Sequence, residues 1–373
     1  MAGCLGNRER VFQQKVNRLV GDLSKLERNQ RTLFELSITC DVMPSRMVQR
    51  FSYLRRDVST TGTTSTESPS DGKLLFKPAS DPPVPMKGRQ TYRMWKAMVQ
   101  LDASPFTKSR LTTNPKILHF VPLEEFDVGN FCMEGVDSLA HFLVTFLEAF
   151  FPGLEVTLEQ CFDISKINPV SRFHKVTKKK QLLVTDIYTR LHQEMRIDRK
   201  EYILGLTWTD LYPSEDLNFA LGEALYSHRC AIFSFGRFEP RTFKQDSIDG
   251  RRKNDDRTAV DRLEITGNLL WKLMRVSSHE LCHLFGLSHC VFFSCAMNES
   301  KSAEEALTQP LSLCPICLRK VQKFLNFDLR SRYRALLDLC RRVERSYPHE
   351  RLAEMVRWYA GVLDFLSEDG GKL

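Results

Sequence analysis

The segment from His279 to His289 reads HELCHLFGLSH and constrains the chain more than any other part of its sequence. Residues four apart lie one above the other on an α-helix, so His279 and His283 can present two imidazoles to one cation. Gly286 permits the positive φ that ends a helix, and the turned chain would return His289 to the same cation. Helical phase agrees, because the neighbouring apolar residues fall opposite the paired histidines: Leu270, Leu273, Met274, Leu281, Leu284 and Phe285. We therefore predict a zinc site with three imidazole ligands and a position left for water. The alternative is a helix end with three histidines that bind no metal.

Two neighbours of the histidines have predicted roles. Glu280 lies beside the pair, where it can accept the proton of a water that attacks a carbonyl, so we expect it to be the general base. Met297 follows His289 by eight residues, where a methionine-containing turn could form an apolar floor under the imidazoles. Any hydrophobic core would also accept a methionine, so Met297 is expected to support the site and not to bind the metal.

Four of the eleven cysteines follow directly: Cys290, Cys295, Cys314 and Cys317. The second pair is a C-x-x-C knuckle and the first pair is separated by four residues, spacings that are typical of a structural zinc site. Four thiolates fill the tetrahedron, so this second zinc would pin the loop after His289 and take no part in chemistry. A disulfide pair, a redox-active C-x-x-C and buried free thiols are the alternatives.

Hydrophobic periodicity predicts mixed strands and helices between Pro115 and Lys320. Strands are expected at 117–121, 154–158, 202–208, 218–221 and 230–235, and helices at 136–151, 181–192 and 261–285. The short segments at 218–221 and 230–235 lie close enough in sequence for at least one to run antiparallel to the other strands.

The flanking regions are predicted to be helical. Residues from Arg10 to about Ile38 have apolar residues at helical spacing, which predicts one amphipathic helix, and residues beyond Lys320 repeat the pattern twice. Ser, Thr, Gly and Pro dominate much of 58–90, which predicts a linker or a long surface loop. The expected organisation is an N-terminal helical region (1–57), a linker segment (58–112), a catalytic domain that includes the four cysteines (113–320), and C-terminal helices (321–373).

Composition excludes several classes of protein. The chain is 42% hydrophobic and 27% charged, which rules out a disordered tail, a collagen and a disulfide mini-scaffold. It has no run of about 18 apolar residues and no signal peptide, and its cysteine number is odd, so we expect the cytoplasm or the nucleus and no membrane partner. The net charge of +8 is spread along the chain and indicates only non-specific attraction to polyanions.

The extended histidine motif, the methionine behind it and the four cysteines together resemble the animal type of the archaemetzincin family of zinc metallopeptidases. Looser similarity runs back over Leu204–Thr207, Asp210–Pro213 and Ile232–Phe235, to cover roughly 115–340. The resemblance implies an α+β, zincin or metzincin-like fold: a twisted mixed sheet, an antiparallel edge strand at Asn218–Gly222 that can bind an extended peptide, and an active-site helix.

Carried over to this sequence, the resemblance implies that His279, His283 and His289 hold the catalytic zinc. Glu280 would be general base and acid, and the four cysteines would hold the second zinc. Peptides or proteins would be the substrates.

Two other functions compete with peptide hydrolysis. A zinc-stabilised binding module could use the basic runs Lys178–Lys180 and Arg251–Lys253 to recognise nucleic acid, but aromatic residues accompany neither run, so we do not expect nucleic acid as a partner. A catalytically weak scaffold could keep both metals. The presence of Glu280 argues against a scaffold, because structure alone does not require a carboxylate there.

Overall fold

The computed structural model describes residues 2–40, 75–76, 89–101, 110–111, 115–125, 131–238, 264–300, 302, 305–306 and 309–367. The predicted linker at 58–90 lies almost wholly outside these residues. One buried hydrophobic cluster includes residues from Val16 to Leu366, so the N-terminal and C-terminal helices share a core with the central sheet. The division into four regions stays a prediction.

The central sheet has five strands. They are β1 (Lys116–Pro122), β2 (Leu154–Leu158), β5 (Tyr202–Thr207), β7 (Gly222–Leu225) and β8 (Cys230–Ser234), in the order β2-β1-β5-β8-β7. Strands β2, β1, β5 and β8 run parallel to one another, and β7 pairs antiparallel with β8 at the edge of the sheet. Strands β5 and β8 are buried along their whole length, because helices and loops cover both faces of a mostly parallel sheet.

The edge strand lies four residues downstream of its expected position at Asn218–Gly222. Residues just before it are tied to a second sheet, of β3 (Ser171–Phe173), β4 (Lys180–Leu183) and β6 (Asp210–Tyr212). The Gln181 side chain donates to the Asn218 carbonyl at 2.8 Å, and the Ala220 N–H donates to the Leu211 carbonyl at 2.9 Å. Regular pairing with β8 therefore begins only at Gly222.

The predicted helix at 181–192 was wrong at its start. Residues 180–183 form β4, which pairs with β3 on one side and β6 on the other, and helix α5 spans Val184–Glu194. Tertiary pairing thus overrides the apolar periodicity over these first residues. Of the two basic runs, Lys178–Lys180 extends from the connection after β3 into the first residue of β4, and Arg251–Lys253 lies outside the described residues.

The single N-terminal helix expected over 10–38 was also wrong. Helix α1 (Ala2–Val20) ends at Gly21, which has a φ of 77° and lies against the ring of Tyr92, where a Cβ would collide. Helix α2 (Arg28–Glu35) and a 3₁₀ turn (Leu36–Cys40) follow. Helix α3 (Tyr92–Leu101), which sequence analysis did not identify, packs against α1.

The remaining helices agree with the sequence pattern to within a few residues, except at the start of α6 and at α7, a helix that sequence analysis did not identify because it placed only a cysteine knuckle there. They are α4 (Leu139–Phe150), α6 (Gly267–Leu284), α7 (Pro315–Leu325), α8 (Leu329–Ser346) and α9 (Glu350–Ser367), with 3₁₀ turns at Ile164–Ile167 and Tyr226–His228. Helix α6 begins six residues later than expected, at the Thr266 cap, whose hydroxyl accepts from the Leu269 N–H at 3.1 Å. Among the described helices, none is both long enough and apolar enough to cross a membrane.

Candidate metal centres and active site

Helix α6 carries the first two histidines in an almost fully buried setting. Its residues from Leu269 to Ser278 are all buried, so the helix has one fixed orientation against the sheet. His279 and His283 lie on its last two turns and are half-buried. The periodicity that predicted this helix also placed the two imidazoles on one side of it.

Each of these imidazoles is oriented by a backbone carbonyl. His279 Nδ1 lies 2.8 Å from the Ala296 oxygen, and His283 Nδ1 lies 2.7 Å from the Leu287 oxygen. A carbonyl oxygen only accepts, so both Nδ1 atoms carry the proton and both Nε2 atoms present a lone pair. Such a bond from the outer nitrogen is the usual way in which a metal-binding histidine is held.

The chain returns after α6 through a helix-ending turn at Gly286. The Leu287 N–H donates to the Cys282 carbonyl at 3.1 Å, and the Gly286 N–H donates to the His283 carbonyl at 2.9 Å. This is a Schellman motif, which needs a residue in the left-handed region, and Gly286 has a φ of 81°. The same turn supplies the Leu287 carbonyl that orients His283.

The turn brings His289 to the other two histidines, as the sequence predicted. Its ring centroid lies 5.3 Å from that of His279 and 4.9 Å from that of His283. One nitrogen from each ring lies within 4.8 Å of the other two, and the Nε2 atoms of His279 and His283 are 3.0 Å apart.

This donor set fits a divalent cation. Two lone pairs facing each other at 3.0 Å repel, and a cation between them would turn the repulsion into attraction. Burial lowers the pKa of all three imidazoles, helped by His283 at His279 and by His289 at His283, whose pKa falls to about 4. The rings are therefore neutral near pH 7, which is the form that binds zinc.

Glu280 lies beneath the edge strand, next to the histidines. It is 6% exposed, and burial together with the nearby Glu223 raises the pKa of its carboxyl to about 8. A Cβ built on Gly222 would lie 2.7 Å from both Cγ and Oε1 of Glu280, so only glycine lets the strand come this close. The start of β7 and the carboxyl group therefore border the same space.

Met297 is fully buried in the loop that follows the third histidine. Its carbonyl accepts from the Cys290 N–H at 2.7 Å, which ties the loop back to the residue after His289. The neighbouring Asn298 side chain donates to the carbonyls of Cys290 and Phe293 at 2.7 and 2.8 Å. The loop is thus closed on itself by hydrogen bonds.

The four predicted cysteines also come together. Their sulfur atoms lie within 4.8 Å of one another, all four residues are buried, and the Cys290 and Cys314 sulfurs are 3.7 Å apart. The Cys295 sulfur accepts from the N–H groups of Met297 and Cys314 at 3.5 and 3.3 Å. Cys314 caps helix α7 and Cys317 lies in its first turn, where the helix dipole favours thiolates. Four buried sulfurs can fill a tetrahedral site and leave no position for water.

Sequence analysis missed a contact between residues 89–101, within the expected linker segment, and the Gly286 turn. The Gln90 side chain donates to the Gly286 carbonyl at 2.9 Å and accepts from the Ser288 N–H at 3.1 Å. The Trp95 indole N–H donates to the Phe285 carbonyl at 2.9 Å. These bonds join residues about 190 apart in the chain, and no local pattern predicts them.

Sequence analysis also missed Arg275, one helical turn before His279. It is 3% exposed and donates to the Ala296 carbonyl at 2.6 Å, the same oxygen that orients His279. The available signal was a charged residue within the run of largely apolar residues that precedes the histidines.

Comparisons with known proteins agree with this arrangement. Residues 269–323 match peptidase family M54, a segment that contains both clusters. The chain is 32% identical to archaemetzincin-1 of Homo sapiens over 261 residues, which cover 67% of this chain and 51% of that protein. It is 34% identical to archaemetzincin-2 of Rattus norvegicus over 201 residues, 52% of this chain and 55% of that protein.

A solved structure with some likeness is archaemetzincin from Methanopyrus kandleri, at 22% identity and a TM-score of 0.36, covering 57% of this chain and 96% of that one. The chain spans about half the length of the curated relatives that it matches. Residues 269–323 therefore carry a segment of peptidase family M54 that holds both clusters, and the curated relatives to which the chain is similar are archaemetzincins.

Proposed function

We propose that the chain is a zinc metallopeptidase with one catalytic zinc and one structural zinc. The observation that carries the proposal is a buried carboxyl, Glu280, that contacts the start of the edge strand and directly follows the first of three converging imidazoles in the chain. His279, His283 and His289 would hold the catalytic zinc, and the four cysteines would hold the structural one. When bound by the imidazoles, zinc would polarise the scissile carbonyl and activate the attacking water.

The edge strand would bind the substrate. Strand β7 pairs with β8 on one side only, and among the described residues no strand lies on its other side. An extended peptide can add there by main-chain hydrogen bonds, with affinity that depends little on its sequence. Gly222, at the start of β7, would bring the peptide backbone close to Glu280.

Glu280 would move the protons. The charge of a zinc ion at the adjacent imidazoles would favour the ionised form of Glu280. That carboxylate would accept a proton from the attacking water and pass it to the nitrogen of the leaving amine, which breaks the C–N bond. Met297 would support the imidazoles from the loop that it closes. The bonds from Ala296 and Leu287 would keep two imidazoles in the tautomer that leaves Nε2 unprotonated.

The cysteine cluster would be structural and belong to a reducing compartment. All nine cysteines whose side chains are described are free thiols, which supports metal binding at the cluster over a disulfide. We accordingly place the protein in the cytoplasm or the nucleus, with peptides or proteins as its substrates.

Glu280→Gln tests the mechanism, because the amide keeps the shape of the side chain but cannot accept the proton. We expect turnover of a quenched fluorescent peptide library to fall by about 10³-fold or more, with the zinc content unchanged. Equal cleavage by the variant and the wild type would overturn the proposed mechanism. A wild type that binds zinc and cleaves nothing would instead point to the scaffold function.

A further inference from the structure

Arg275 is a buried cation whose hydrogen-bond acceptors are neutral. It lies inside helix α6 at 3% exposure, and burial lowers the pKa of its guanidinium to about 10. Within the described part of the chain, no carboxylate forms an ion pair with it. A charge buried in this way is costly unless other groups compensate for it, so its acceptors indicate its role.

Those acceptors all lie in the loop that joins the two cysteine pairs. The guanidinium donates to the Ala296 carbonyl at 2.6 Å, to the Ala306 carbonyl at 3.5 Å and to the Gln309 side-chain oxygen. Gln309 in turn donates to the Glu299 carbonyl at 2.8 Å. One side chain of the active-site helix thus holds this loop at three points.

The Ala296 carbonyl connects the loop to the histidines. It accepts from Arg275 and also from His279 Nδ1, at 2.8 Å. The Ala296 N–H donates to the Ser312 carbonyl at 2.8 Å, and Ala296 itself directly follows Cys295. A shift of Cys295 therefore moves the oxygen that orients His279.

Electrostatics links Arg275 to the cysteines as well. Burial lowers the pKa of the Arg275 guanidinium, and Cys295 opposes this lowering more than Cys282 or Glu280 does. Four thiolates around a divalent cation carry a net charge of about −2, which a buried cation nearby would offset.

We propose that Arg275 is a positioning residue that couples the two metal sites, so that a filled cysteine cluster tightens metal binding at the histidines. The inference rests on the proposed function, because it requires a metal at each cluster. Coupling of this kind is a free energy shared between two sites, so it acts equally in both directions. The Ala296 carbonyl would transmit this coupling, because it accepts a hydrogen bond from Arg275 and another from His279 Nδ1.

A double-mutant cycle on the full chain tests the coupling. Cys317→Ser disables the cysteine site, and Arg275→Met removes the three hydrogen bonds while it keeps an unbranched apolar side chain. Zinc affinity of the histidine site is measured by competition with a chromophoric chelator. The ¹⁵N shifts of His279 report whether Nδ1 still carries the proton.

We expect Cys317→Ser to weaken zinc binding at the histidines about tenfold in the wild-type background, within the usual range of coupling between sites. In the Arg275→Met background it should have no further effect, and the Nδ1 signal of His279 should lose its fixed tautomer. Arg332→Met is the control, because Arg332 is equally buried and donates at 2.8 Å to the carbonyl of Phe150, a residue of neither the cysteine loop nor the histidine segment.

Other outcomes separate the two proposals. If the wild type binds no zinc at the histidines, the proposed function fails. If it binds two zincs but the effects of Cys317→Ser and Arg275→Met simply add, the coupling is wrong and the proposed function stands. If Arg275→Met does not fold, Gln309→Leu replaces it: a weaker coupling in Gln309→Leu supports the inference, and an unchanged coupling overturns it.

Discussion

Gly222 and Glu280 are in such close contact that a single added carbon on Gly222 would stand 2.7 Å from the Glu280 carboxyl oxygen. The edge strand and helix α6 therefore meet at Gly222, which has no side chain, and at Glu280, which is the only buried carboxylate of that helix. This contact fixes the distance between a peptide paired to β7 and the group proposed to move its protons.

Gly222→Ala should displace Glu280 and lower turnover about a hundredfold, because a misplacement of about 1 Å can cost that much. Zinc content should stay the same, since Gly222 contacts the carboxyl and not the imidazoles. Gly361→Ala is the matched control, because a Cβ there would meet nothing within 4 Å. Peptidase assays and metal analysis of both variants check the prediction, and equal turnover in the two would contradict it.

His283→Ala should lower the zinc content from about two ions per chain to about one, because the histidine site loses one of three protein ligands. Cys317→Ala should also lose about one ion, and it should lower the thermal midpoint more than His283→Ala does, since the cysteines hold a long loop. Metal analysis and thermal melts of both variants measure this. An unchanged zinc content in His283→Ala would rule out a metal at the histidines.

Trp95→Phe keeps an aromatic ring but loses the hydrogen bond to the Phe285 carbonyl, which should cost about 1–2 kcal/mol of unfolding free energy. It should also weaken zinc binding at the histidines, because the freed carbonyl belongs to the turn between His283 and His289. Trp358→Phe is the control: its indole donates at the same 2.9 Å to the carbonyl of Leu75, which is not part of this turn. Urea unfolding and zinc titration of both variants separate the two effects, and equal zinc affinities would refute the role of Trp95.

Glu223→Gln should change how stability depends on pH. Burial raises the pKa of the Glu223 carboxyl above its ordinary value of 4.5, although the Tyr188 hydroxyl partly opposes this as a hydrogen-bond donor. The folded state therefore keeps this proton at pH values where the unfolded chain releases it. The contribution of Glu223 to the free energy of unfolding is thus complete below pH 4.5 and is lost as pH rises through the pKa of the folded state.

The wild type should accordingly lose stability relative to Glu223→Gln as pH rises above 4.5. Urea unfolding from pH 4.5 to 8 measures the difference, and Glu155→Gln, at an exposed position on β2, is the control. A difference between Glu223→Gln and the wild type that does not vary with pH would show that the carboxyl titrates normally.

The parts of the site that the sequence predicted are those set by local spacing. The geometry of one helix and its end accounts for His279, His283 and Gly286. The cysteine pairs follow from the short sequence spacing at which two thiolates can bind one zinc. Gln181 illustrates the opposite case, because its apolar neighbours suggest a helix while strands on both sides hold it in a sheet. The edge strand was misplaced by four residues for a similar reason, since the bonds that hold Asn218 come from another sheet.

Gln90 and Arg275 could not be predicted from the sequence because their roles lie in backbone groups that they reach across the fold. A glutamine before a helix has no distinctive spacing, and its partner, the Gly286 carbonyl, is 196 residues away. For Arg275, the sequence could predict that a charge within a largely apolar helical segment needs a hydrogen-bond partner. It could not predict which partner, because that depends on how the cysteine loop folds back.

The bond between Gln90 and Gly286 also bears on the order in which parts of the chain fold. A loop of 196 residues has to close before it can form, and such distant contacts form slowly because the chain loses much entropy before it gains the contact. During synthesis on the ribosome, Gly286 must emerge before Gln90 can form this bond. We therefore expect competence to bind metal at the histidines to arise late in refolding, after the sheet has formed.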